Sequence, residues 1–247
     1  MSAAARFHVI IPARYASTRF PGKPLADIVG KPMVVRVCER AAKSGAVGVH
    51  VATDDDRISD AVKRHGFAVI ATRTDHASGT DRIAEAAQRL NLADDAVVVN
   101  VQGDEPLIDP QLIAAVARRL AEHAAASMAS ACHAIADEAE IANPNVVKVV
   151  LDAQGCALYF SRSPIPYPRV KEETRATYRH VGLYAYRMRF LSEYAGLPHS
   201  PLEKAEALEQ LRALWHGYRI AMVTSEAAVP PGVDTREDLA AVLKMWR

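Results

Sequence analysis

Short apolar runs alternate with segments of helical periodicity along the first half of the chain. The apolar runs are rich in β-branched residues and predict strands, and the segments between them repeat their apolar positions at helical spacing. Strands are predicted at residues 7–11, 47–53, 67–72 and 96–101. Helices are predicted from Pro32 to a stop at Gly45 and at residues 55–65, 80–91 and 110–123. This alternation is typical of a parallel sheet with crossover helices.

The pattern becomes less regular in the second half. Strands are predicted at residues 127–135, 146–151, 157–161, 181–187 and 219–224. Pro164, Pro166 and Pro168 interrupt the run after Ser161, so "SRSPIPYPRVKEETRAT" is predicted to be an exposed loop or arm. No repeat, low-complexity tract or linker divides the chain. We therefore expect an α/β fold in a single domain over residues 1–247, with a mixed, mostly parallel sheet flanked by helices and an embellished second half.

Composition excludes several classes of function. Half of the 247 residues are hydrophobic (50%), 24% are charged and the formal net charge is +1, so no overall field attracts nucleic acid or an anionic membrane. No apolar run approaches the roughly 18 residues of a membrane span, and we expect a cytoplasmic protein without membrane insertion or a nucleic-acid partner. Cys38, Cys132 and Cys156 form no Cys-x-x-Cys pair and the histidines show no His-x-x-x-His spacing, so the cysteines are expected to fill the core.

A cationic loop follows the first predicted strand. The stretch "IPARYASTRFPGKP" places Arg14, Arg19 and Lys23 in a connection of about twenty residues, and connections of that length are usually functional. In a parallel sheet this loop lies over the carboxyl ends of the strands, where ligands bind. The three cations suit an anion with several charges, such as a triphosphate, and Gly22 would let backbone amides approach it. A solvated basic loop is the alternative. The P-loop and dinucleotide-binding glycine patterns are both absent from the sequence.

Two aspartates are candidate metal ligands. The buried-strand run "AVVVNVQGDEP" ends with Asp104 at the carboxyl end of its strand, and magnesium prefers one or two carboxylates together with phosphate oxygens. An ordinary acidic turn is the alternative for Asp104. Asp234 in "PPGVDTREDL" precedes a helix that begins near Thr235, and a helix N-cap is the alternative there.

Motifs along nearly the whole chain resemble a known family. The matching segments are "IPARYASTRFPGKPL", "VATDDDRI", "SGTDRIAEA", "NVQGDEP", "NPNVVKVVLD", "ALYFSRSPIP", "HVGLYAYR", "PLEKAEALEQLRALWHG" and "GVDTREDL". Taken together, they are similar to the 3-deoxy-manno-octulosonate (Kdo) cytidylyltransferases, also called CMP-Kdo synthetases. The resemblance implies a nucleotide-diphospho-sugar transferase-like fold, a homodimer, a Mg2+ cofactor, and the coupling of CTP to Kdo to give CMP-Kdo and pyrophosphate for lipopolysaccharide assembly.

The resemblance also implies roles for particular residues. Arg19, Lys23 and Asp104 are the implied catalytic residues, and Asp104 and Asp234 would share the metal ion. The implied nucleotide-binding residues are Ala13, Arg14, Arg19, Lys23, Ser78, Gly79, Thr80 and Asp104. The implied Kdo-binding residues are Gln102, Arg162, His180, Glu209 and Gln210, with Arg162 on the sugar carboxylate. Each of these five also has an ordinary structural alternative, such as a strand-end histidine for His180 or a solvated helix face for Glu209 and Gln210.

Three competing functions can be distinguished from this expectation by features of the sequence. A cytidylyltransferase for a sialic acid would share the cationic loop but lack the "FSRSPIP" and "LEQLR" segments. A glycosyltransferase would need Asp-x-Asp after a central strand, where this chain has Gln-Gly-Asp-Glu at 102–105. The acidic stretch Asp54–Asp56 suits the capped start of a helix. An inactive CTP sensor would be expected to have lost Lys23, Asp104 or Asp234. Two departures from the family are Phe20, where leucine is common, and a shorter segment from Arg169 to Tyr178.

Overall fold

The apolar runs form the strands of a mixed sheet in this computed structural model, which describes residues 5–16, 20–76, 78–170 and 177–246. The strands are β1 (Phe7–Pro12), β2 (Asp27–Ile28), β3 (Lys31–Pro32), β4 (Gly48–Thr53), β5 (Ala68–Ala71), β6 (Val97–Asn100), β7 (Met128–Ala134), β8 (Lys148–Leu151), β9 (Ala157–Ser161), β10 (Tyr178–Arg187) and β11 (Ile220–Ser225). Strands β2 and β3 pair with each other in a separate small sheet inside the cationic loop.

Helices connect and cover these strands, and many begin at a side-chain cap. They are α1 (Met33–Ala42), α2 (Asp56–Arg64), α3 (Gly79–Arg89), α4 (Pro110–Glu122), α5 (Glu138–Ala142), α6 (Met188–Tyr194), α7 (Pro201–Glu206), α8 (Gln210–Trp215) and α9 (Arg236–Met245). Asp55, for example, accepts hydrogen bonds from the first-turn N–H groups of α2, the structural role expected for this acidic stretch. Within the described ranges, every helix is too short or too polar to cross a lipid bilayer.

The order of the strands creates a crevice at one edge of the sheet. The order is β11-β7-β10-β6-β1-β4-β5, with β10 antiparallel to both of its neighbours β6 and β7. From β1 the chain moves outward through β4 to β5 and then returns to β6 on the other side of β1. Ligands bind at such a reversal, outside the carboxyl ends of the strands. The connections that follow β1 and β6 therefore flank the expected ligand site.

Both faces of the sheet are buried. Helices α1, α2 and α4 pack on one face, and α3, α6 and α8 pack on the other. Cys38, Cys132 and Cys156 are buried and free, as expected for cysteines that fill the core. A third cluster forms beneath the cationic loop, where Phe20 packs with Val242 of α9 and three other apolar side chains. This packing brings the chain just before α9 next to the loop.

The predicted fold class is confirmed, with corrections in the less regular half. Helices α5, α6 and α7 were not predicted, and β10 begins at Tyr178 rather than at Val181. Residues 162–170 form no helix or strand, as predicted for the arm, and its residues 171–176 lie outside the described part of the chain.

Candidate active site

Two adjoining cavities lie at the carboxyl edge of the sheet. The first has a volume of about 440 Å³ and the second a volume of about 350 Å³. Arg14, Gly79 and Gln102 line both cavities. The first is also lined by Pro12, Ala13, Ala16, Lys23, Pro24, His76, Ser78, Arg82, Gly103, Asp104 and Asp234. The second is also lined by Thr80, Asn100, Met128, Gly182, Tyr184, Tyr186, Tyr194, Ala207, Leu208, Glu209 and Gln210. The shared residues make the two spaces neighbours.

Lys23 joins the two predicted metal ligands in the first cavity. Its Nζ lies 2.5 Å from Oδ2 of Asp104 and 3.1 Å from Oδ1 of Asp234, and the Lys23 side chain is 13% exposed. Gly22 precedes it with φ +72°, and a Cβ at Gly22 would lie 3.2 Å from the Tyr15 ring. A residue with a side chain would be strained there, so glycine sets the turn that directs Lys23 into the cavity.

Close backbone packing places both aspartates. A Cβ at Gly103 would lie 2.9 Å from the Pro12 carbonyl oxygen, so the chain after β6 can approach the end of β1 only without a side chain at that position. The Val233 N–H donates a hydrogen bond of 2.8 Å to the carbonyl of Asp104. Asp104 and Asp234 thus come from distant parts of the sequence to one point.

The two aspartates suit a divalent cation. Their carboxylate oxygens already converge on one positive charge, and a pair of carboxylates completed by substrate phosphate oxygens is the usual magnesium arrangement. Among the described residues there is no cluster of three or more His, Cys, Asp or Glu side chains that would hold a metal by protein ligands alone. The donor set therefore fits magnesium that is bound together with a phosphate ligand.

The start of α3 forms the wall between the cavities. The Ser78 side chain caps the helix by accepting a 3.1 Å hydrogen bond from the Asp81 N–H. Thr80 Oγ1 donates a 2.8 Å hydrogen bond to Oε2 of Glu209, which lines the second cavity. The predicted residues Ser78, Gly79, Thr80 and Glu209 are therefore brought together at one wall.

Aromatic side chains form much of the second cavity. Tyr184, Tyr186 and Tyr194 line it, and burial raises the pKa of all three hydroxyls. Tyr194 donates a 2.9 Å hydrogen bond to the backbone carbonyl of Glu209, which fixes the turn before α8. Hydroxyls and amides above aromatic surfaces suit a polyhydroxylated ligand.

Arg14 is the cation that both cavities share. It is exposed, and among the described residues it has no ion-pair partner. An anionic group in either cavity can therefore recruit it. Arg19, the remaining cation of the loop, lies outside the described residues, and its role stays a prediction.

Arg162 is not brought to either cavity in this structure. Its guanidinium donates hydrogen bonds to the backbone carbonyls of Pro144 (2.9 Å), Glu206 (2.7 Å) and Ala207 (3.4 Å). Ala207 lines the second cavity, so Arg162 holds the cavity wall from behind. Its predicted contact with a sugar carboxylate would require new partners and stays a prediction.

His180 also lies outside the cavity linings. Its Nε2 is 2.9 Å from Oγ of Ser130, and its ring packs edge-on against Phe160. Burial lowers the pKa of His180 to about 3, so the ring is neutral at pH 7. The contacts of His180 in this structure therefore agree with the structural alternative, a strand-end histidine.

Several wall residues were missed in the sequence. His76 and Arg82 line the first cavity, and Arg82 belongs to the quoted segment "SGTDRIAEA", which could have drawn attention to it. Glu105 lies behind Asp104, where burial and the Asp104 charge raise its pKa to about 8. In the sequence Glu105 stands beside Asp104 in a turn, and that pattern does not indicate that the Glu105 side chain is buried.

Comparisons with known proteins give matches over most of the chain. Residues 8–220 match the protein family described as Cytidylyltransferase. A solved structure of CMP:2-keto-3-deoxy-manno-octonic acid synthetase complexed with CTP is 47% identical, with 97% of this chain and 98% of that chain covered and a TM-score of 0.92. A cytidylyltransferase from Leptospira borgpetersenii serovar Hardjo-bovis (strain JB197) has a TM-score of 0.62 at 15% identity, over 96% of this chain and 85% of that chain, and shares the fold alone.

Proposed function

Because this chain belongs to the cytidylyltransferase family and, within it, to the CMP-Kdo synthetases, we propose that it couples CTP to Kdo and releases pyrophosphate. The product, CMP-Kdo, is the activated sugar for lipopolysaccharide assembly. The observation that carries this proposal is the pair of adjoining cavities that meet at Arg14, Gly79 and Gln102. The first cavity has the charges that a triphosphate needs, and the second has the hydroxyl and amide groups that suit a sugar acid.

The reaction requires positioning and charge neutralisation. The anomeric hydroxyl oxygen of Kdo forms a bond to the α-phosphorus of CTP as the bond from that phosphorus to the pyrophosphate oxygen breaks in line, and the hydroxyl loses its proton. The Lys23 ammonium lies where it can neutralise the leaving pyrophosphate. By family resemblance, Arg19 assists it. Arg14, at the junction, holds charged groups of the two substrates near each other.

We further propose that Asp104 and Asp234 hold magnesium together with the CTP phosphates. When bound there, magnesium supplies positive charge at the phosphate oxygens and can lower the pKa of the attacking hydroxyl. Lys23 offsets one of the two carboxylate charges in the ligand-free protein, and a bound triphosphate offers its ammonium new oxygen partners.

The sugar site is proposed to use the predicted residues that reach the second cavity. Gln102, Glu209 and Gln210 line it, and the Gln210 Nε2 is enclosed without a hydrogen-bond partner among the described residues. An unpaired buried amide is costly, so a ligand oxygen at that position would be favourable. Arg14 supplies positive charge for the Kdo carboxylate.

We propose a homodimer and a cytoplasmic location. Three apolar side chains on β9 and the arm are exposed, Leu158 (61%), Tyr167 (86%) and Val170 (47%), and burial against a second copy would remove them from water. Three free, buried cysteines suit a reducing compartment. Sedimentation of the protein and of a Tyr167→Ser variant tests the dimer, since a weaker dimer is expected in the variant and a monomeric parent protein would contradict the proposal.

Product formation tests the proposed reaction. CTP, magnesium and the protein are incubated with Kdo or with N-acetylneuraminate, and pyrophosphate and the nucleotide sugar are measured. Pyrophosphate that depends on Kdo supports the proposal. Release with N-acetylneuraminate alone would indicate a sialic-acid enzyme, and binding of CTP without release in either reaction would indicate a sensor.

A further inference from the structure

A histidine–glutamate pair forms part of the wall of the first cavity. His76 lines this cavity, and its Nε2 is hydrogen-bonded to Oε2 of Glu85 on α3. The side chains are 5% and 16% exposed, so the pair is largely shielded from water. Its position suits contact with a ligand, and the reaction proposed above gives it no role.

Glu85 is held firmly enough to orient the ring. Besides His76, it accepts a 3.0 Å hydrogen bond from the Arg73 N–H and a 2.6 Å hydrogen bond from Arg89. Burial by itself would raise the pKa of Glu85, but these hydrogen bonds lower it to about 2. The ionised carboxylate can only accept, so Nε2 of His76 carries the proton that it donates.

The other ring nitrogen is available to a ligand. Within the described part of the chain, Nδ1 of His76 has no hydrogen-bond partner, and it is not among the enclosed polar atoms. His76 lines the cavity and its Nε2 is taken by Glu85, so Nδ1 is the ring nitrogen left for a ligand there. In the neutral ring with a proton on Nε2, Nδ1 is a hydrogen-bond acceptor.

The charges around His76 suit an uncharged part of the ligand, such as the ring of the nucleotide base. Arg82, the neighbouring cation of the wall, is hydrogen-bonded to Thr72 and lies 3.2 Å from the Asp54 carboxylate, and the Glu85 carboxylate is paired with Arg89. The charges on this wall are therefore already balanced. The triphosphate is better served by Lys23 and the exposed Arg14, which leaves the His76 wall to the base.

We propose that His76 reads the nucleotide base, with Nδ1 accepting a hydrogen bond from the 4-amino group of cytosine, and that Glu85 is its positioning residue. Uracil has a carbonyl oxygen at the same position, and two acceptors facing each other in an enclosed site repel. This inference rests on the proposed use of CTP, and it adds the residue that rejects UTP. A site built to bond a substrate amine discriminates strongly against an analogue that lacks it.

Equilibrium binding of CTP and UTP without Kdo tests the proposal. Binding is measured by calorimetry at pH 8. His76→Phe keeps an aromatic ring and removes both nitrogens, and we expect the preference for CTP over UTP to fall about 10- to 100-fold. His76→Asn offers an amide oxygen near the Nδ1 position and is expected to recover part of the preference. Glu85→Gln is expected to fall between the parent protein and His76→Phe.

A matched control separates this role from a structural one. His216→Phe alters an exposed histidine whose Nε2 contacts the Pro198 carbonyl, outside both cavities, and its CTP preference is expected to equal that of the parent protein. Equal losses of CTP and UTP affinity in the His76 and Glu85 variants would overturn the proposal, because a structural pair would affect both nucleotides. An unchanged preference in His76→Asn and Glu85→Gln would overturn it even if His76→Phe failed to fold.

The binding experiment distinguishes a failure of the proposed base contact from a failure of the proposed reaction. If the protein binds CTP selectively, His76→Phe abolishes that selectivity and no product forms from Kdo, the role of His76 is supported and the proposed reaction is contradicted. Product from Kdo with unchanged selectivity in the variants would contradict base reading alone. A parent protein that binds neither nucleotide would contradict both.

Discussion

A buried ion pair behind the second cavity provides a stringent test of the packing described above. Arg212 donates two hydrogen bonds to Glu203, of 2.9 Å and 2.5 Å, and the side chains are 5% and 8% exposed. The Arg212 guanidinium lies 4.7 Å from the centre of the Tyr194 ring, and Tyr194 holds the carbonyl of Glu209. The pair therefore supports both the fold and the proposed sugar site.

Replacing Glu203 with glutamine isolates the charge. Glutamine keeps the volume and the capping box with Ser200, but it leaves the Arg212 cation buried without a counter-charge. Breaking a buried pair in this way costs about 3–5 kcal/mol of unfolding free energy, and because the cap is retained we expect a loss of about 3 kcal/mol. For a chain of this size, each kcal/mol lowers Tm by about 2–4 °C, so Tm is expected to fall by roughly 6–12 °C.

Thermal melts and substrate kinetics measure the two effects. Glu140→Gln is the matched control, because Glu140 pairs with Arg179 at 3.2 Å with side chains 37% and 26% exposed, and a loss of less than about 1 kcal/mol is expected there. In Glu203→Gln the KM for Kdo is expected to rise while the KM for CTP stays constant. Adding Arg212→Met to Glu203→Gln should restore part of the stability, since no charge remains buried.

Two results would refute this reasoning. Equal stability losses in Glu203→Gln and Glu140→Gln would mean that burial gives the Glu203 pair no greater weight than a surface pair. A Kdo KM that stays constant while Tm falls would separate the ion pair from the sugar site.

Three further predictions concern pH and the charged end of the first cavity. The pKa of Glu85 in the folded protein, about 2, is below the ordinary value of about 4.3. The ionised carboxylate therefore stabilises the fold fully above about pH 4.3, and this contribution is lost between about pH 4.3 and 2. We expect the Tm difference between the parent protein and Glu85→Gln to narrow as the pH is lowered from 6 to 3. Lys23→Ala is expected to lower kcat/KM for CTP by about 10²- to 10³-fold in a pyrophosphate-release assay, with the exposed Lys204→Ala as control. Asp104→Asn should nearly abolish magnesium-dependent turnover and leave circular dichroism unchanged, with the exposed Asp95→Asn as control.

Each of these three predictions has a contradicting result. A Tm difference that widens toward acid would reverse the sign argued for Glu85. Turnover of Lys23→Ala within twofold of the Lys204→Ala control would remove the ammonium from the reaction. Normal magnesium dependence in Asp104→Asn would remove that carboxylate from the metal site.

The alternating half of the fold was predictable because local signals agree there. The run of three valines in β6 and the capped, amphipathic α2 each indicate one structure, and the observed bounds of these two elements differ from the predicted ones by one residue at each end. By contrast, α6 continues directly from β10 without a glycine, proline or side-chain cap between them. Its helical form depends on tertiary packing of Phe190 and Leu191, which local propensity does not report.

The site was predictable as a set of residue types and less so as a set of contacts. Lys23 and Asp104 meet as the loop and strand pattern led us to expect, and Asp234 joins them as the family resemblance implied. A sequence motif does not specify the side-chain rotamer. Arg162 can therefore bond to nearby backbone carbonyls, which compete with a ligand for its guanidinium. The hydrogen bond between His76 and Glu85 joins residues nine positions apart in the sequence, so no simple spacing rule indicates it.

We propose that the two cavities bring the anomeric oxygen of Kdo to the α-phosphorus of CTP. Kdo labelled with oxygen-18 at the anomeric position tests this arrangement, with mass spectrometry of both products. We expect the label to be retained in CMP-Kdo, in the bridge between sugar and phosphorus, and to be absent from pyrophosphate. CMP-Kdo that has lost the label, or pyrophosphate that carries it, would contradict attack by the sugar hydroxyl and with it the proposed arrangement of the two substrates.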